Sequence, residues 1–185
     1  MYERKKKRQY SPVTLIAILV LTCTMLGTFF LPELVSAFWH LRHGKSVTFH
    51  GWMIPVPSGW WAYTYEDKLI IQKMTRVYEH IRSPEVIILP LNSRGIVNDA
   101  AFGQQLIRDF SKNGYSLQLK KAFKLAGNTV SCFEFADAAH QRNVRISCWS
   151  LDSGLSLDFL GYKHNVPVFY SVVDQIRLSS DASPQ

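Results

Sequence analysis

The sequence has few residues or motifs that would bind a cofactor or react with a substrate. Only three of its 185 residues are cysteine, and it contains no Asn-x-Ser/Thr acceptor, Gly-x-Ser-x-Gly elbow or His-Glu-x-x-His pair. His40, His43 and His50 are the one close group of histidines, but no nearby carboxylate or cysteine completes a metal site with them. We therefore assign no catalytic, cofactor-binding or metal-binding residue, and an enzyme is the less favoured interpretation.

There is one long apolar run. Residues 13–31 form an uncharged stretch of 19 residues between Pro12 and Pro32. A helix of that length spans most of a hydrocarbon layer about 30 Å thick. A basic segment precedes it, and positive charge resists translocation, which predicts a cytoplasmic tail (1–12), a transmembrane helix (13–32) and export of the remainder. The basic residues are Arg4, Lys5, Lys6, Lys7 and Arg8.

A cleaved signal peptide is the alternative interpretation of this run. The small residues that end at Ala37 suit a signal peptidase, but the run exceeds the 7–15 residues usual for a signal core, which favours a permanent anchor. Residues 33–45 are predicted to connect the anchor to the domain. The connector would place two aromatic residues at the membrane interface and four polar ones at headgroup level, namely Phe38 and Trp39, then His40, Arg42, His43 and Lys45.

The net charge of +7 is unevenly distributed along the chain. Residues 1–44 contain six basic and two acidic residues, whereas residues 45–185 contain fifteen and twelve. Much of the excess therefore belongs to the topology signal, and an exported, nearly balanced domain has little reason to bind nucleic acid. The expected partners are the lipid bilayer and another membrane or envelope protein.

Residues 46–178 are predicted to form one exported domain of class α+β. Alternating apolar residues predict a succession of strands interrupted by one helix over 99–113, and an amphipathic helix over Pro167–Leu178 follows the strands. The connections are mostly short enough for hairpins, so we expect a mainly antiparallel sheet flanked by helices. Around Gly51 the alternation slips by one residue, which indicates a bulge or a short break. Residues 179–185 are predicted to be a disordered tail.

Two cysteines lie in the exported part, where an oxidising compartment favours a disulfide. If the strands over Val130–Ala136 and Asn143–Leu151 pair about residue 140, Cys132 and Cys148 stand directly opposite each other on one face. We predict a structural disulfide. Two small buried thiols are the alternative.

Five aromatic residues are candidates for an interaction surface or a ligand pocket, and core packing is the alternative for each of them. Trp60 and Trp61 are adjacent, so in a strand they point to opposite faces of the sheet. Only one of the two can therefore enter the core on a given face. The set is Trp52, Trp60, Trp61, Tyr63 and Tyr65.

The segment Phe49–Trp60 (FHGWMIPVPSGW), which ends in a Pro-Ser-Gly-Trp turn, resembles the opening of PsbP/Mog1-like domains. The order of predicted elements over residues 46–178 is similar to theirs as well. The resemblance implies an α/β/α sandwich with a non-enzymatic accessory, assembly or binding role, and it has no general catalytic set to carry over.

These observations together favour a single-pass, membrane-anchored accessory, assembly or docking protein at the cell (inner) membrane, with a periplasmic or extracellular domain. An extracytoplasmic ligand-binding module is the alternative, with a pocket near Trp60 or Trp61. An envelope hydrolase ranks lower, and its residues would be found where a histidine lies beside Asp158 or Glu134. The histidines concerned are His50, His80, His140 and His164.

Overall fold

The computed structural model describes residues 11–74, 83–91, 99–125, 127–140 and 142–179, so the basic segment Arg4–Arg8 lies outside the described residues. A long helix, α1 (Pro12–His43), begins the described chain. Ser11 caps its N-terminus, because the Ser11 side chain accepts the backbone N–H of Thr14 at 3.2 Å. Gly44, with φ of 81°, ends the helix in a conformation that suits glycine.

A small antiparallel sheet follows the helix. It has three strands, β1 (Ser46–Phe49), β2 (Trp52–Pro55) and, from the end of the domain, β10 (Arg177–Leu178). His50 and Gly51 connect β1 to β2 and both have positive φ, as a two-residue hairpin turn requires. The slip in the sequence pattern at Gly51 is therefore a break between two strands that pair with each other.

The large sheet has seven strands, all antiparallel to their neighbours, in the spatial order β3-β4-β5-β9-β8-β7-β6. This arrangement confirms the α+β class and the antiparallel pairing, although the domain contains two sheets where one was predicted. The strands are β3 (Trp61–Tyr65), β4 (Lys68–Gln72), β5 (Glu85–Pro90), β6 (Tyr115–Leu125), β7 (Asn128–Asp137), β8 (Asn143–Ser150) and β9 (Leu155–Tyr162).

Two further helices cover opposite faces of the large sheet. Helix α2 (Asp99–Lys112) packs closely because Gly103 has no side chain, and a Cβ there would lie 3.0 Å from the Phe133 ring. Helix α3 (Val166–Gln175) packs on the other face, where Phe169 meets Phe159 at 5.4 Å between ring centroids. The main core lies on this second face, between the large sheet, α3 and the small sheet.

The C-terminal helix is shorter than predicted. It ends at Gln175, because Ile176 adopts an extended conformation and the next two residues pair with β2. The N–H of Ser179 then donates to the Gly51 carbonyl at 2.8 Å, so Ser179 belongs to the fold. The rest of the predicted disordered tail, residues 180–185, lies outside the described residues.

The predicted disulfide is confirmed. Cys132 on β7 and Cys148 on β8 are direct partners in the register, with their Cα atoms 4.1 Å apart, and the two sulfurs are bonded. Both side chains are buried in the main core. The third cysteine, Cys23, is a free thiol on α1.

We predict that replacing both bonded cysteines (Cys132→Ala with Cys148→Ala) lowers the free energy of unfolding by up to about 3 kcal/mol, because the bridge restricts a loop of this size in the unfolded chain. The measurement is thermal and denaturant unfolding of the full chain in mild detergent. Cys23→Ser is the matched control and should unfold like the parent chain. Equal stability of the double variant and the control would contradict the prediction.

Tyr170 on α3 occupies a tightly packed corner beside β6 and β7. Lys121 lies over two aromatic rings there, with its Nζ 4.5 Å from the Phe123 centroid and 4.8 Å from the Tyr170 centroid. The Tyr170 hydroxyl oxygen is buried and faces the carboxylate of Glu134. Burial and, next, the negative charge of Glu134 raise the pKa of Tyr170 from 10.0 to about 12.

This shift predicts a loss of stability in alkaline solution. The raised pKa in the folded state favours the protonated hydroxyl, so its contribution is fully present below pH 10 and is lost as the pH rises to about 12. Tyr170→Phe keeps the ring and removes the ionisable group. We expect this variant to lose less stability than the parent chain between these pH values in denaturant titrations. Parallel pH profiles for the two proteins would refute this.

Candidate functional site

The first half of α1 exposes apolar side chains on all sides. Over residues 12–28 every described side chain is exposed, although the sequence there is almost entirely hydrophobic. A helix that is apolar all round is expected inside a large core or a membrane, since a helix on the surface of a soluble domain has one polar face. The most exposed of these residues include Val13, Ile16, Leu19, Leu21 and Met25.

Helix α1 is bent, and in the described part of the chain no straight helix passes the length and hydropathy criteria for a membrane span. Two segments, Pro12–Thr28 and Phe30–His43, meet at an angle of 59° and satisfy those criteria together. Pro32 lies shortly after the bend, and proline inside a helix removes a backbone hydrogen bond and favours a kink. We call Phe30–His43 the docked segment, because it packs against the domain.

The docked segment is bonded to the edge strand β3. The hydroxyl of Ser36 donates to the carbonyl of Trp60 at 2.9 Å, and the indole N–H of Trp39 donates to the carbonyl of Ala62 at 2.8 Å. Carbonyls two residues apart point to the same side of a strand, and among the described residues β3 has a neighbouring strand on only one side. The helix therefore bonds to backbone groups that would otherwise form an open sheet edge.

Histidines extend this contact at the end of the helix. The two ring nitrogens of His40 face two carbonyl oxygens, Nδ1 with Gly44 at 2.8 Å and Nε2 with Pro57 at 3.1 Å. The ring of His43 stacks on Trp39, with centroids 4.9 Å apart. The contact between His40 and Pro57 joins the helix to the turn between β2 and β3.

The structure shows which way these side chains point. Trp39, expected at the membrane interface, is buried against the domain, and the rings of His40 and His43, expected at headgroup level, pack against it. Their depth in a membrane stays a prediction. Phe38 points away from the domain and is exposed. The sequence contained a signal for this arrangement, because Ser36, Trp39, His40 and His43 follow the three- and four-residue spacing of one helical face.

The predicted aromatic set divides between buried and more exposed positions. Trp52 and Trp60 are buried in the main core. Trp61 is half-buried and stacks on Tyr63, with ring centroids 4.9 Å apart, while Tyr65 is exposed. The Trp61 indole N–H is buried without a hydrogen-bond partner in the described part of the chain. Binding of a ligand or a partner at these aromatic residues stays a prediction.

The residues considered for an enzyme are distributed over the domain. Within the described ranges, no group of three or more histidine, cysteine, aspartate or glutamate residues could hold a metal ion. The serine hydroxyl of Ser147 donates to Asp158 at 2.5 Å, and Glu134 faces Tyr170. Of the histidines, His50 contacts Asp67, His140 contacts Asp137 and His164 stacks on Tyr162, whereas His80 lies outside the described residues.

The contact of His140 belongs to a local turn. The backbone N–H of Ala139 donates to the Asp137 carboxylate at 2.8 Å, and the backbone N–H of His140 donates to the same oxygen at 3.1 Å. The Ala139 bond is the main cause that lowers the pKa of Asp137, and the His140 contacts add to it. This geometry is typical of an Asx turn that joins two strands.

Fold and site together define an α+β domain that is bonded to the second half of a long apolar helix. No family model matches the sequence, and no curated protein is significantly similar to it. Among solved structures, the chain is similar to the solution structure of cyanobacterial PsbP from Synechocystis sp. PCC 6803. The identity is 13%, the alignment covers 72% of this chain and 91% of that one, and the TM-score is 0.48. This likeness concerns the course of the chain alone.

We predict that removing the hydrogen bonds between the docked segment and β3 loosens this edge of the sheet. Ser36→Ala and Trp39→Phe each leave a carbonyl without its donor, which costs at least about 1 kcal/mol. Amide hydrogen exchange should become faster in residues 60–65, and the unfolding temperature in detergent should fall. Arg42→Ala, at an exposed position on the same helix, is the control. If both variants exchange like this control, the bonds do not hold the edge.

Proposed function

We propose that this protein is a membrane-anchored accessory or docking protein, in which the first half of α1 lies in a lipid bilayer and holds an extracytoplasmic domain at the membrane surface. The observation that carries the proposal is the exposure of apolar side chains around the whole of that half. Leaving a large aliphatic side chain in water costs about 1.5–3 kcal/mol relative to burying it. Nine such side chains are exposed there and cost about 13–27 kcal/mol together, which is as large as or larger than the total stability of a typical domain.

The direction of insertion follows from charge and from the disulfide. The basic segment Arg4–Arg8 precedes the helix and favours a cytoplasmic N-terminus. The bond between Cys132 and Cys148 suits an oxidising compartment on the other side of the membrane. The two observations are independent of each other, and they support the same topology.

The contacts of the docked segment favour an uncleaved anchor over a signal peptide. Cleavage after Ala37 would remove Ser36, which is buried and bonded to β3. It would also make the buried Trp39 the second residue of a chain with a new, charged N-terminus. A segment that the fold uses in this way is better explained as a permanent part of the protein.

The way the domain is held supports a role as an accessory or docking module. The hydrogen bonds of Ser36 and Trp39 and the ring of His40 connect helix and sheet at three points, so the domain does not hang from a flexible linker. Such a joint suits a protein that presents one surface to a neighbour in or near the membrane.

The anchoring is tested by charging the first half of α1. Leu19→Arg with Val20→Arg places two charges near the middle of the apolar run, each costing about 2.5–3.5 kcal/mol in a bilayer. We expect the parent chain to remain in membranes after alkaline carbonate extraction and the charged variant to be released. Leu19→Ala with Val20→Ala is the matched control and should remain with the membranes. Release of the parent chain would refute the anchor.

The accessory role is tested on the same membranes. After extraction in mild detergent, the intact protein is sized, its N-terminus is determined by mass spectrometry, and proteins that purify with it are identified. The proposal expects an intact N-terminus and a defined complex larger than the chain alone. A monomer without partners would count against docking, and an N-terminus at Phe38 would show that the segment is cleaved.

A further inference from the structure

The docked segment has two faces with opposite surroundings. At 100° per residue, the residues that bond to the domain (Ser36, Trp39 and His40) lie on one side of the helix, together with His43, which stacks on Trp39. Leu34, Phe38 and Leu41 lie on the opposite side, where their exposed fractions are 59%, 67% and 86%. Large apolar side chains thus form an exposed row on the outer face, whereas the inner face packs against the domain.

The outer face ends in positive charge. Arg42 is exposed at the end of the row, and Lys45 follows two residues after the helix. Glu33, at the start, is the one acidic residue between Phe30 and Lys45. An apolar row bordered by cations is the composition of helices that lie in the interface of a bilayer, where the apolar side enters the acyl boundary and the cations meet anionic headgroups.

The bend in α1 determines how deep this row lies in a bilayer. If the first half, Pro12–Thr28, stands along the bilayer normal, its length of about 25 Å crosses most of a hydrocarbon layer about 30 Å thick. Leu41 lies about 18 Å further along the docked segment, and the bend of 59° reduces its rise along the normal to about 9 Å. With Pro12 at the inner edge of the hydrocarbon layer, the row therefore lies about 30–35 Å further out, near the outer boundary between hydrocarbon and headgroups. The whole bilayer, headgroups included, is about 40–45 Å thick.

We propose that the outer face of the docked segment, formed by Leu34, Phe38 and Leu41, lies in the headgroup layer of the outer leaflet. This inference rests on the proposed anchoring and adds to it a fixed pose for the domain. Because the inner face of the same helix is bonded to β3, lipid contact on one side and protein contact on the other place edge strand β3 next to the membrane. The lipid surface is then a second binding partner, distinct from the hydrocarbon that surrounds the first half.

The experiment measures the depth of single spin labels on the full chain. The chain carries Cys23→Ser, is reconstituted in bilayer discs of phosphatidylcholine and phosphatidylglycerol, and keeps its native disulfide. Labels are introduced by Phe38→Cys or Leu41→Cys, both at exposed positions, with Val20→Cys as the reference in the bilayer and Lys124→Cys as the reference in water. Depth is read from relaxation by oxygen, which dissolves in lipid, and by an aqueous nickel complex.

The expected result is an ordered series of depths. The label at position 20 should be the deepest, those at 38 and 41 should report the interface with clear loss of access to nickel, and that at 124 should be fully accessible to nickel. Discs of phosphatidylcholine alone should give shallower labels at 38 and 41, because the cations then lose their anionic partners.

Three results would overturn the inference, and the first two are distinguishable from failure of the anchor. If the label at position 41 is in water while the label at position 20 is in lipid, the proposed anchor stands and the surface contact is refuted. Labels at 38 and 41 shielded from both reagents would show that protein covers the outer face, either a second copy or another chain. Labels at 20 and 41 both in water would refute the proposed function as well.

Discussion

The hydrogen bonds from α1 to the free edge of β3 are the interaction on which the rest of this structure depends. Ser36 and Trp39 donate to carbonyls that no neighbouring strand could reach, so the helix takes the place of an eighth strand. Side-chain donors on adjacent turns meet acceptors spaced two residues apart, which fixes the register between helix and strand as well as their distance. Without these bonds, an apolar helix and an α+β domain would be two bodies joined only by Gly44 and Lys45.

The large sheet is restrained at its other side by a different means. The disulfide joins β7 to β8, and α2 packs closely on the opposite face from the bridge because Gly103 allows the Phe133 ring to approach. Between the two restrained sides, β5 pairs with β9 and brings together strands that are distant in sequence. The outermost strand, β6, carries lysines that lie over aromatic rings, which gives its exposed edge a positive charge.

Features that follow from local periodicity could be predicted, and features that depend on distant contacts could not. Side chains alternate along a strand, so Cys132 and Cys148 could be placed opposite each other once a hairpin was assumed. The bond from Ser36 to Trp60 joins residues 24 apart whose local patterns contain no sign of the pairing. The helix after Pro167 was predicted too long for the same reason, because its last apolar residues fit a helix locally but are used by β10.

The covered edge has a consequence for any shortened form of the chain. Removing the apolar first half of α1 is the obvious route to a water-soluble protein, but a cut placed after Trp39 would uncover the carbonyls of Trp60 and Ala62. An uncovered edge strand is a template for strand addition between copies, and it promotes aggregation. A water-soluble form must therefore lack the apolar first half of α1 but keep the donors Ser36 and Trp39. Both conditions are met only by a chain that begins between the bend and Ser36.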